Sequence, residues 1–171
     1  LIAFRKVFDQ LPADVAMDHF RLFGLPRTYA MNLQDLHRRF LAISRNIHPD
    51  FFGGEAEEMK TLSLRLSAQV NEAYQTLKDP VSRAEYMLES AGGKSSAQDK
   101  SVPGNLLAEV MALREQIEEA KDAGEQETLI LLRAQIESRK LAIDDTVAKL
   151  CGRLDEPSDE VRTELRRQLN A

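Results

Sequence analysis

Apolar residues recur along most of this chain at steps of three and four, the spacing that places them on one side of an α-helix. The clearest stripe runs from residue 33 to residue 47 in steps of 3, 4, 3 and 4. The alternation of apolar and polar positions that is typical of strands never extends beyond a few residues. The sequence therefore predicts an all-α protein.

Four helices are predicted in the first half of the chain. Asn32 is a good N-cap for the second helix, Pro49 must end it, and Pro80 suits the first turn of the fourth. The predicted helices cover about residues 18–22, 32–47, 55–77 and 80–89. The positions expected to face inward are Leu33, Leu36, Phe40, Ile43 and Ile47 in the second helix, and Met59, Leu62, Leu66, Val70, Ala73 and Leu77 in the third.

Three further helices are predicted after the small, polar stretch Gly92–Ser96. Gly124 separates the first two of them, and Pro157-Ser158 caps the last. They cover about residues 104–122, 125–150 and 158–169. Their expected inward positions are Leu106, Val110, Leu113, Ile117 and Ala120, then Leu129, Leu132, Ile136, Ile143, Val147 and Leu150, then Val161, Leu165 and Leu169.

This pattern predicts two all-α domains joined by a short linker. Residues 17–90 form the first, a helical hairpin with short helices around it, and residues 103–171 form a three-helix bundle. Residues 91–102 are the linker between them, and residues 1–16 are an N-terminal extension of unknown status.

Composition and charge narrow the class of partner. The 171 residues have a net charge of −5 and one cysteine, Cys151, so an internal disulfide is excluded. No apolar run approaches the ~18 residues that cross a bilayer, and a soluble, intracellular chain with no membrane partner is expected.

The charge is unevenly distributed along the chain. Residues 31–48 hold three arginines against one aspartate, whereas 105–127 hold seven acids against two bases. Two protein partners of opposite charge are therefore indicated, and a pI of 5.3 argues against nucleic acid.

The tripeptide His48-Pro49-Asp50 stands between the two longest helices of the first domain. Pro49 ends the preceding helix, Asp50 can accept hydrogen bonds from backbone N–H groups or from a partner's arginine, and His48 lies at the tip within a partner's reach. Taken alone, the tripeptide favours a helix-ending turn with no partner. The two flanking helices reverse that preference.

The helix before the tripeptide predicts a docking face. With about 100° per residue, Arg38, Leu41 and Arg45 fall on the side away from the core stripe, and His48 follows on the same side. A basic stripe is often only a solvated face. An apolar Leu41 between two arginines, leading to the tripeptide, favours the interpretation as an interface.

Residues 20–89 resemble a J-domain, through the tripeptide, the spacing of the helices and the closing motif Asn71–Pro80. Phe20–Pro26, Arg83–Leu88 and Leu113–Gln116 further resemble the HscB family, the J-type co-chaperones of iron–sulfur cluster assembly. The resemblance implies that this face and the tripeptide bind a DnaK-type, HscA-like chaperone and trigger its ATP hydrolysis. J-domains commonly carry a basic residue directly after the tripeptide, whereas this chain has Phe51-Phe52.

A second partner surface is predicted on the helix over residues 104–122. Leu107 and Met111 lie outside its core stripe, and Glu115 and Glu119 continue the same face. The alternative is that the two apolar residues widen the packing stripe against the third helix. In the HscB family the matching positions bind the scaffold protein on which clusters are built, an IscU-like partner, although Ala108 and Ala112 stand where larger or acidic residues are usual.

The sequence gives no support for an active site, a metal site or a cofactor. His37 and His48 are about 16 Å apart on one helix, too far to share a metal ion. A half-buried Cys151 is expected, and a lone cysteine cannot hold an iron–sulfur cluster. The first hypothesis is thus a non-enzymatic co-chaperone that delivers the scaffold protein to its chaperone, in a bacterial cytoplasm rather than a mitochondrial matrix. The alternatives are a general J-domain co-chaperone for unfolded clients and an enzyme that uses His48 and Asp50 as an acid/base pair.

Overall fold

The structure, a computed structural model, describes residues 18–47 and 57–170, with side chains from Lys60 onward in the second range. The predicted extension 1–16 and the tripeptide His48-Pro49-Asp50 lie outside the described residues. Within them the regular elements are all helices: α1 (His19–Leu22), α2 (Leu33–Ile47), α3 (Glu57–Lys78), α4 (Pro80–Ser90), α5 (Leu106–Asp122), α6 (Gln126–Cys151) and α7 (Asp159–Leu169). The predicted all-α fold class is confirmed.

The chain divides into two compact units, Leu1–Arg83 and Ala84–Ala171. The division falls inside α4, earlier than the predicted boundary at residue 90, so the end of α4 and the predicted linker 91–102 belong to the second unit. The first unit holds the predicted helical hairpin, formed by α2 and α3 with α1 against α3. The second holds α5, α6 and α7, with α6 packed on both others.

The short helix α1 is fixed at both ends by local hydrogen bonds. The Asp18 side chain accepts a hydrogen bond from the Arg21 backbone N–H at 2.9 Å, as an N-cap does. Gly24 follows the helix with a φ of +60°, a left-handed conformation that glycine adopts without steric cost. These caps hold a four-residue helix that buries Phe20 and is followed by the buried Phe23.

The α2–α3 hairpin encloses the core of the first unit. Asn32 caps α2 as predicted, since its side-chain oxygen accepts from the N–H groups of Gln34 and Asp35 at 3.0 Å. Two predicted inward positions are wrong: Leu33 is 49% and Leu62 37% exposed, because each lies at the edge of its stripe. The fully or nearly buried hairpin side chains are Leu36, Ile47, Ser63, Leu66, Val70, Ala73 and Leu77.

The junction between α3 and α4 is closed by two side chains. Asp79 accepts a hydrogen bond from the Ser82 backbone N–H at 2.7 Å, and this bond holds the pKa of Asp79 below its usual value. The buried Arg83 donates to the Leu77 carbonyl and lies 5.0 Å from the Tyr29 ring centroid. The start of α4 at Pro80 is therefore as predicted, and a buried arginine that sequence periodicity does not reveal secures it.

Helices α5 and α6 form an antiparallel hairpin. Gly124, with a φ of +69°, ends α5, and the Glu125 N–H returns to the Ala120 carbonyl at 2.8 Å in the manner of a Schellman motif. Arg139 of α6 pairs with Glu109 near the start of α5 at 2.6 Å, which shows that the helices run in opposite directions. Two predicted core positions of this hairpin, Val110 and Ile136, are wrong, with 44% and 41% exposure.

Helix α7 covers only the C-terminal end of α6. Ser158 caps α7 by accepting from the Val161 N–H at 3.4 Å, and Leu165 is fully buried. The predicted half-buried Cys151 is wrong, since this thiol is 4% exposed. The buried side chains of this part are Val147, Leu150, Cys151, Leu154, Val161 and Leu165.

A polar network centred on Arg166 of α7 holds the predicted linker within the second unit. The Arg166 guanidinium binds both carboxylate oxygens of Glu85 on α4 and donates to the Lys94 carbonyl at 3.1 Å. Asn170 donates to the carbonyls of Asp99 and Ser101 at 3.2 and 2.9 Å. Residues 91–102 are therefore tied to α7 at three carbonyls.

We predict that Arg166→Ala lowers the free energy of unfolding by roughly 3 kcal/mol, because it leaves the Glu85 carboxylate without its buried partner. Urea unfolding of the full chain, followed by far-UV circular dichroism, measures the loss. Arg167→Ala is the matched control on the same helix. Its pair with Glu164 is exposed, so it should cost less than about 1 kcal/mol. Equal losses in the two variants would contradict the buried network.

Candidate functional site

The end of α2 is fixed by two serine hydroxyls from α3. Ser63, which is 1% exposed, donates to the carbonyl of Ile47, the last residue of α2, and Ser67 lies 3.5 Å from the same oxygen. The last carbonyls of a helix have no partner within it, so these hydroxyls satisfy one of them. The contact therefore fixes the end of α2, one residue before the tripeptide in the sequence. Sequence analysis missed Ser63, because nothing local in the chain relates it to Ile47.

Arg38, Leu41 and Arg45, the predicted docking residues, form an exposed face of α2, here called the α2 surface. Leu41 is 39% exposed, and both arginines are exposed beside it. The structure thus brings these three together on one side of the helix, away from the buried Leu36. The remaining members of the predicted site, His48, Pro49 and Asp50, lie outside the described ranges, so their position beside this surface stays a prediction.

Asp35 modulates the charge of the α2 surface. Its carboxylate accepts from Arg39 Nε at 2.9 Å and from Arg38, and these bonds, that of Arg39 first, hold the pKa of Asp35 below its usual value. Arg39 also donates to the Phe23 and Gly24 carbonyls at 2.9 and 3.1 Å, which makes it a structural residue. Arg45, in contrast, has no carboxylate partner among the described residues. It carries the least compensated positive charge of the surface.

An aromatic cluster fastens this helix to α3. The rings of Phe40 and Tyr74 stack with centroids 4.2 Å apart, and His37 Nδ1 lies 3.0 Å from the Tyr74 hydroxyl. Lys78 Nζ lies 5.8 Å from the Tyr74 ring centroid. His37 and Phe40 lie beside the α2 surface. Their contacts with Tyr74 therefore fix the rotation of α2 about its axis, which keeps Leu41 facing outward.

Leu107, Met111, Glu115 and Glu119 form a second exposed face, here called the α5 surface. Leu107 is 69% and Met111 63% exposed, and both glutamates are exposed. The alternative that the two apolar residues pack against a third helix is therefore wrong. Val110, predicted as core, adds a further exposed apolar side chain next to them.

Glu119 also lines an open cavity of about 260 Å³ at the tip of the α5–α6 hairpin. Glu125 and Leu132 contribute to its wall, so the cavity combines acidic groups with an apolar side chain. Such a lining suits the aliphatic stem and charged end of a lysine or arginine. The acidic character of the α5 surface thus continues to the hairpin tip.

Neither surface has the donor set of a metal centre. Among the side chains of residues 18–47 and 60–170, no three His, Cys, Asp or Glu groups lie so that they could hold a metal ion. In the same ranges, no helix combines the length and apolarity needed to span a bilayer.

Comparison with known proteins places this geometry in a family. Residues 102–169 match a family model described as the HSCB C-terminal oligomerisation domain. A co-chaperone HscB homologue of Burkholderia pseudomallei is 34% identical over 152 residues, which cover 88% of this chain and 85% of that protein. The chain belongs to the HscB co-chaperone family. A second HscB homologue, of Vibrio parahaemolyticus, is 36% identical over 115 residues, 67% of each chain.

Solved structures agree with this family and with its fold. Chaperone HscB from Vibrio cholerae superposes with a TM-score of 0.71 at 30% identity and covers 90% of this chain and 87% of its own. Human co-chaperone protein HscB, with a TM-score of 0.74 at 23% identity, covers 94% of this chain and 77% of its own, and supports the fold alone. The predicted family is confirmed, as is the predicted order of a J-type domain and a C-terminal helical domain. The assignment of residues to the two surfaces stays a prediction.

We predict that Asp35→Asn destabilises the first unit more at neutral pH than in acid. The pKa of Asp35 is lowered in the folded chain, so its contribution is present above its ordinary value near 3.8 and is lost as the pH falls through the folded-state pKa. Thermal unfolding of both proteins between pH 7 and pH 2.5 measures the difference in stability, which should diminish as the pH falls below 3.8 towards the lowered pKa of the folded chain. Glu72→Gln, which removes one exposed negative charge from α3, is the control. A difference for Asp35→Asn that is constant over this pH range would contradict the assignment.

Proposed function

We propose that this chain is a J-type co-chaperone that stimulates the ATPase of a DnaK-type, HscA-like chaperone and delivers the iron–sulfur cluster scaffold protein to it. The observation that carries the proposal is the α2 surface, an exposed Leu41 between two exposed arginines, in a chain of the HscB co-chaperone family. The bacterial relatives support a bacterial cytoplasm as its location.

The chaperone is recognised in two steps. Arg45 and Arg38 attract an acidic partner surface, and Leu41 is buried when the surfaces meet. The tripeptide follows α2 directly, so a partner seated on this surface contacts His48 and Asp50. The Asp50 carboxylate then accepts hydrogen bonds from the chaperone's donor groups and favours the state of the chaperone that hydrolyses ATP.

The scaffold protein binds the α5 surface. Apolar side chains of the scaffold contact Leu107 and Met111. Basic side chains of the scaffold pair with Glu115 and Glu119. The opposite charge of the α2 and α5 surfaces directs the two partners to different sites. Binding both on one chain raises the effective concentration of scaffold near the chaperone.

Self-association is a second candidate function of the C-terminal unit. The family model that matches residues 102–169 is described as an oligomerisation domain, and α6 carries exposed apolar side chains that no predicted partner uses. This function is compatible with scaffold binding, since the α5 surface lies on another helix.

The chaperone proposal predicts that this protein accelerates single-turnover ATP hydrolysis by the organism's HscA-like chaperone, and that scaffold accelerates it further. Asp50→Asn should abolish the stimulation with the helix content unchanged, and Arg45→Glu should reduce it at least tenfold by reversing the charge that meets the partner. Arg65→Glu, an exposed charge reversal on α3 outside the α2 surface, is the control and should retain full stimulation.

Each result separates the hypotheses. Stimulation that is indifferent to scaffold would support the general J-domain co-chaperone for unfolded clients instead. Stimulation that survives Asp50→Asn, or no stimulation of any DnaK-type chaperone, would contradict the proposal.

The scaffold proposal predicts that Leu107→Glu weakens binding of the IscU-like scaffold by at least tenfold, because it places a charge where an apolar contact forms. Isothermal titration calorimetry measures the affinity. The control is Leu141→Glu, an equally exposed leucine on α6, with 69% exposure at both positions. Equal affinity for the two variants would remove the α5 surface from the interface.

A further inference from the structure

Helix α6 carries a second apolar stripe on the side opposite its core. Ile130 and Leu131 are each 67% exposed and Leu141 is 69% exposed, whereas Leu132 and Leu150 are buried. With Leu132 at 0° and about 100° per residue, Ile130 and Leu141 fall near 160° and 180°, and Leu131 falls near 260°. Ile130 and Leu141 therefore share one helix face, and Leu131 lies on its flank. Exposed leucine and isoleucine grouped in this way, rather than scattered singly, mark an interaction surface.

The stripe has the length and shape of a helix–helix contact. From Ile130 to Leu141 it extends about 16 Å along the axis, or three turns. Ala134, exposed and near 200°, lies between the two larger residues and lets another helix approach closely. Among the described residues of the second unit nothing covers this side, since α7 packs at Val147 and Leu150.

We propose that this stripe is the self-association face of the protein, and that it is occupied by α6 of a second copy in antiparallel orientation. A two-fold axis near residues 135 and 136 places Ile130 of each copy opposite Leu141 of the other. Ala134 then lies at the crossing point, where a small side chain is needed. The inference rests on the self-association proposed above and is independent of chaperone or scaffold binding.

Charge complementarity selects the antiparallel arrangement. Arg133 and Glu137 flank the stripe on one side and pair within the helix at 3.1 Å, with 82% and 62% of their side chains exposed. Because they lie on either side of the two-fold axis, Arg133 of each copy faces Glu137 of the other. In a parallel two-fold pair this flank would instead face the opposite flank of the other copy, where at the same level Ser138 and Ala142 offer no charged partner.

The other flank of the stripe adds no attraction between the copies. Glu127 and Asp145 both lie near 220°, and the same two-fold axis places Glu127 of one copy opposite Asp145 of the other. Lys149 pairs with Asp145 at 2.6 Å and offsets part of this repulsion. The electrostatic attraction between the copies therefore comes from Arg133 and Glu137.

The size of the contact sets the expected affinity. Three helical turns on each copy bury less than the ~1,200 Å² of a standard stable complex, so the dimer belongs to the weak, reversible class. We expect dissociation on dilution, with a Kd of roughly 10–100 μM for a contact of this class. The α5 surface remains open in this dimer, because none of its residues belongs to the stripe.

The first experiment measures self-association of the full chain by sedimentation velocity over a concentration series. The natural sequence should shift from monomer to dimer as the concentration rises. Leu141→Glu should weaken the dimer at least tenfold, because two buried charges replace two apolar contacts. Leu107→Glu on the α5 surface, with the same substitution at the same exposure, is the control and should dimerise like the natural sequence.

The second experiment tests the antiparallel register by charge reversal. Arg133→Glu leaves only glutamates at the two flanking positions and Glu137→Arg leaves only arginines, so each variant alone should dimerise at least tenfold more weakly. An equimolar mixture should recover the dimer, because the two glutamates of one chain then face the two arginines of the other. Fluorescence energy transfer between differently labelled variants reports this mixed dimer directly.

The outcomes separate this inference from the function it rests on. A natural sequence that stays monomeric at several hundred micromolar would overturn both self-association and its face. Self-association that Leu141→Glu leaves unchanged would overturn the face and leave self-association standing. Loss in the single charge variants without recovery in the mixture would overturn the antiparallel register.

Discussion

The Ile47 carbonyl at the end of α2 accepts from the hydroxyls of Ser63 and Ser67 on the facing helix. A buried carbonyl left without a donor costs about 1–3 kcal/mol, a large part of the stability of a small unit. The contact fixes the position of α2 along α3 at Ile47, the last residue before the tripeptide in the sequence. The rotation of α2 about its own axis is fixed by the stacked rings of Phe40 and Tyr74. Together they determine which side of α2 faces a partner.

The α2 and α5 surfaces differ in charge because basic and acidic residues are grouped separately along the chain, although the net charge is small. At physiological ionic strength a charge is felt over about 8 Å, so a partner responds to the few groups around its contact and not to the net charge of −5. Around Leu41 those groups are Arg38 and Arg45. The Asp35 carboxylate offsets part of the positive charge of Arg38. The acidic α5 surface has the reverse character. Each surface couples an exposed apolar side chain to one sign of charge, which supplies affinity and selectivity at once.

Helix limits were predictable because their signals are local. Asn32, Asp79 and Ser158 bond to backbone N–H groups two or three residues ahead, and a sequence window of that size contains both partners. Buried polar side chains were not predictable, since their partners are distant in sequence: Arg166 reaches Glu85 across 81 residues. Burial was predicted wrongly at the edges of apolar stripes for a related reason. Periodicity gives the direction of the apolar face of a helix, but not how much of that face the neighbouring helix covers. The exposed edge residues are Leu33, Leu62 and Val110.

The exposure of the second unit follows from the unequal lengths of its helices. With 26 residues α6 extends about 39 Å, whereas the 11 residues of α7 extend about 16 Å, so α7 covers less than half of its neighbour. Over the remainder, α5 and α6 bury only the sides that face each other, and Leu113 and Ile117 are merely half-buried. A two-helix hairpin with apolar outer faces is marginal on its own, because most helix stability comes from packing. Partner helices on α5 and α6 would therefore stabilise the hairpin as they bind, which couples recognition to the stability of this unit.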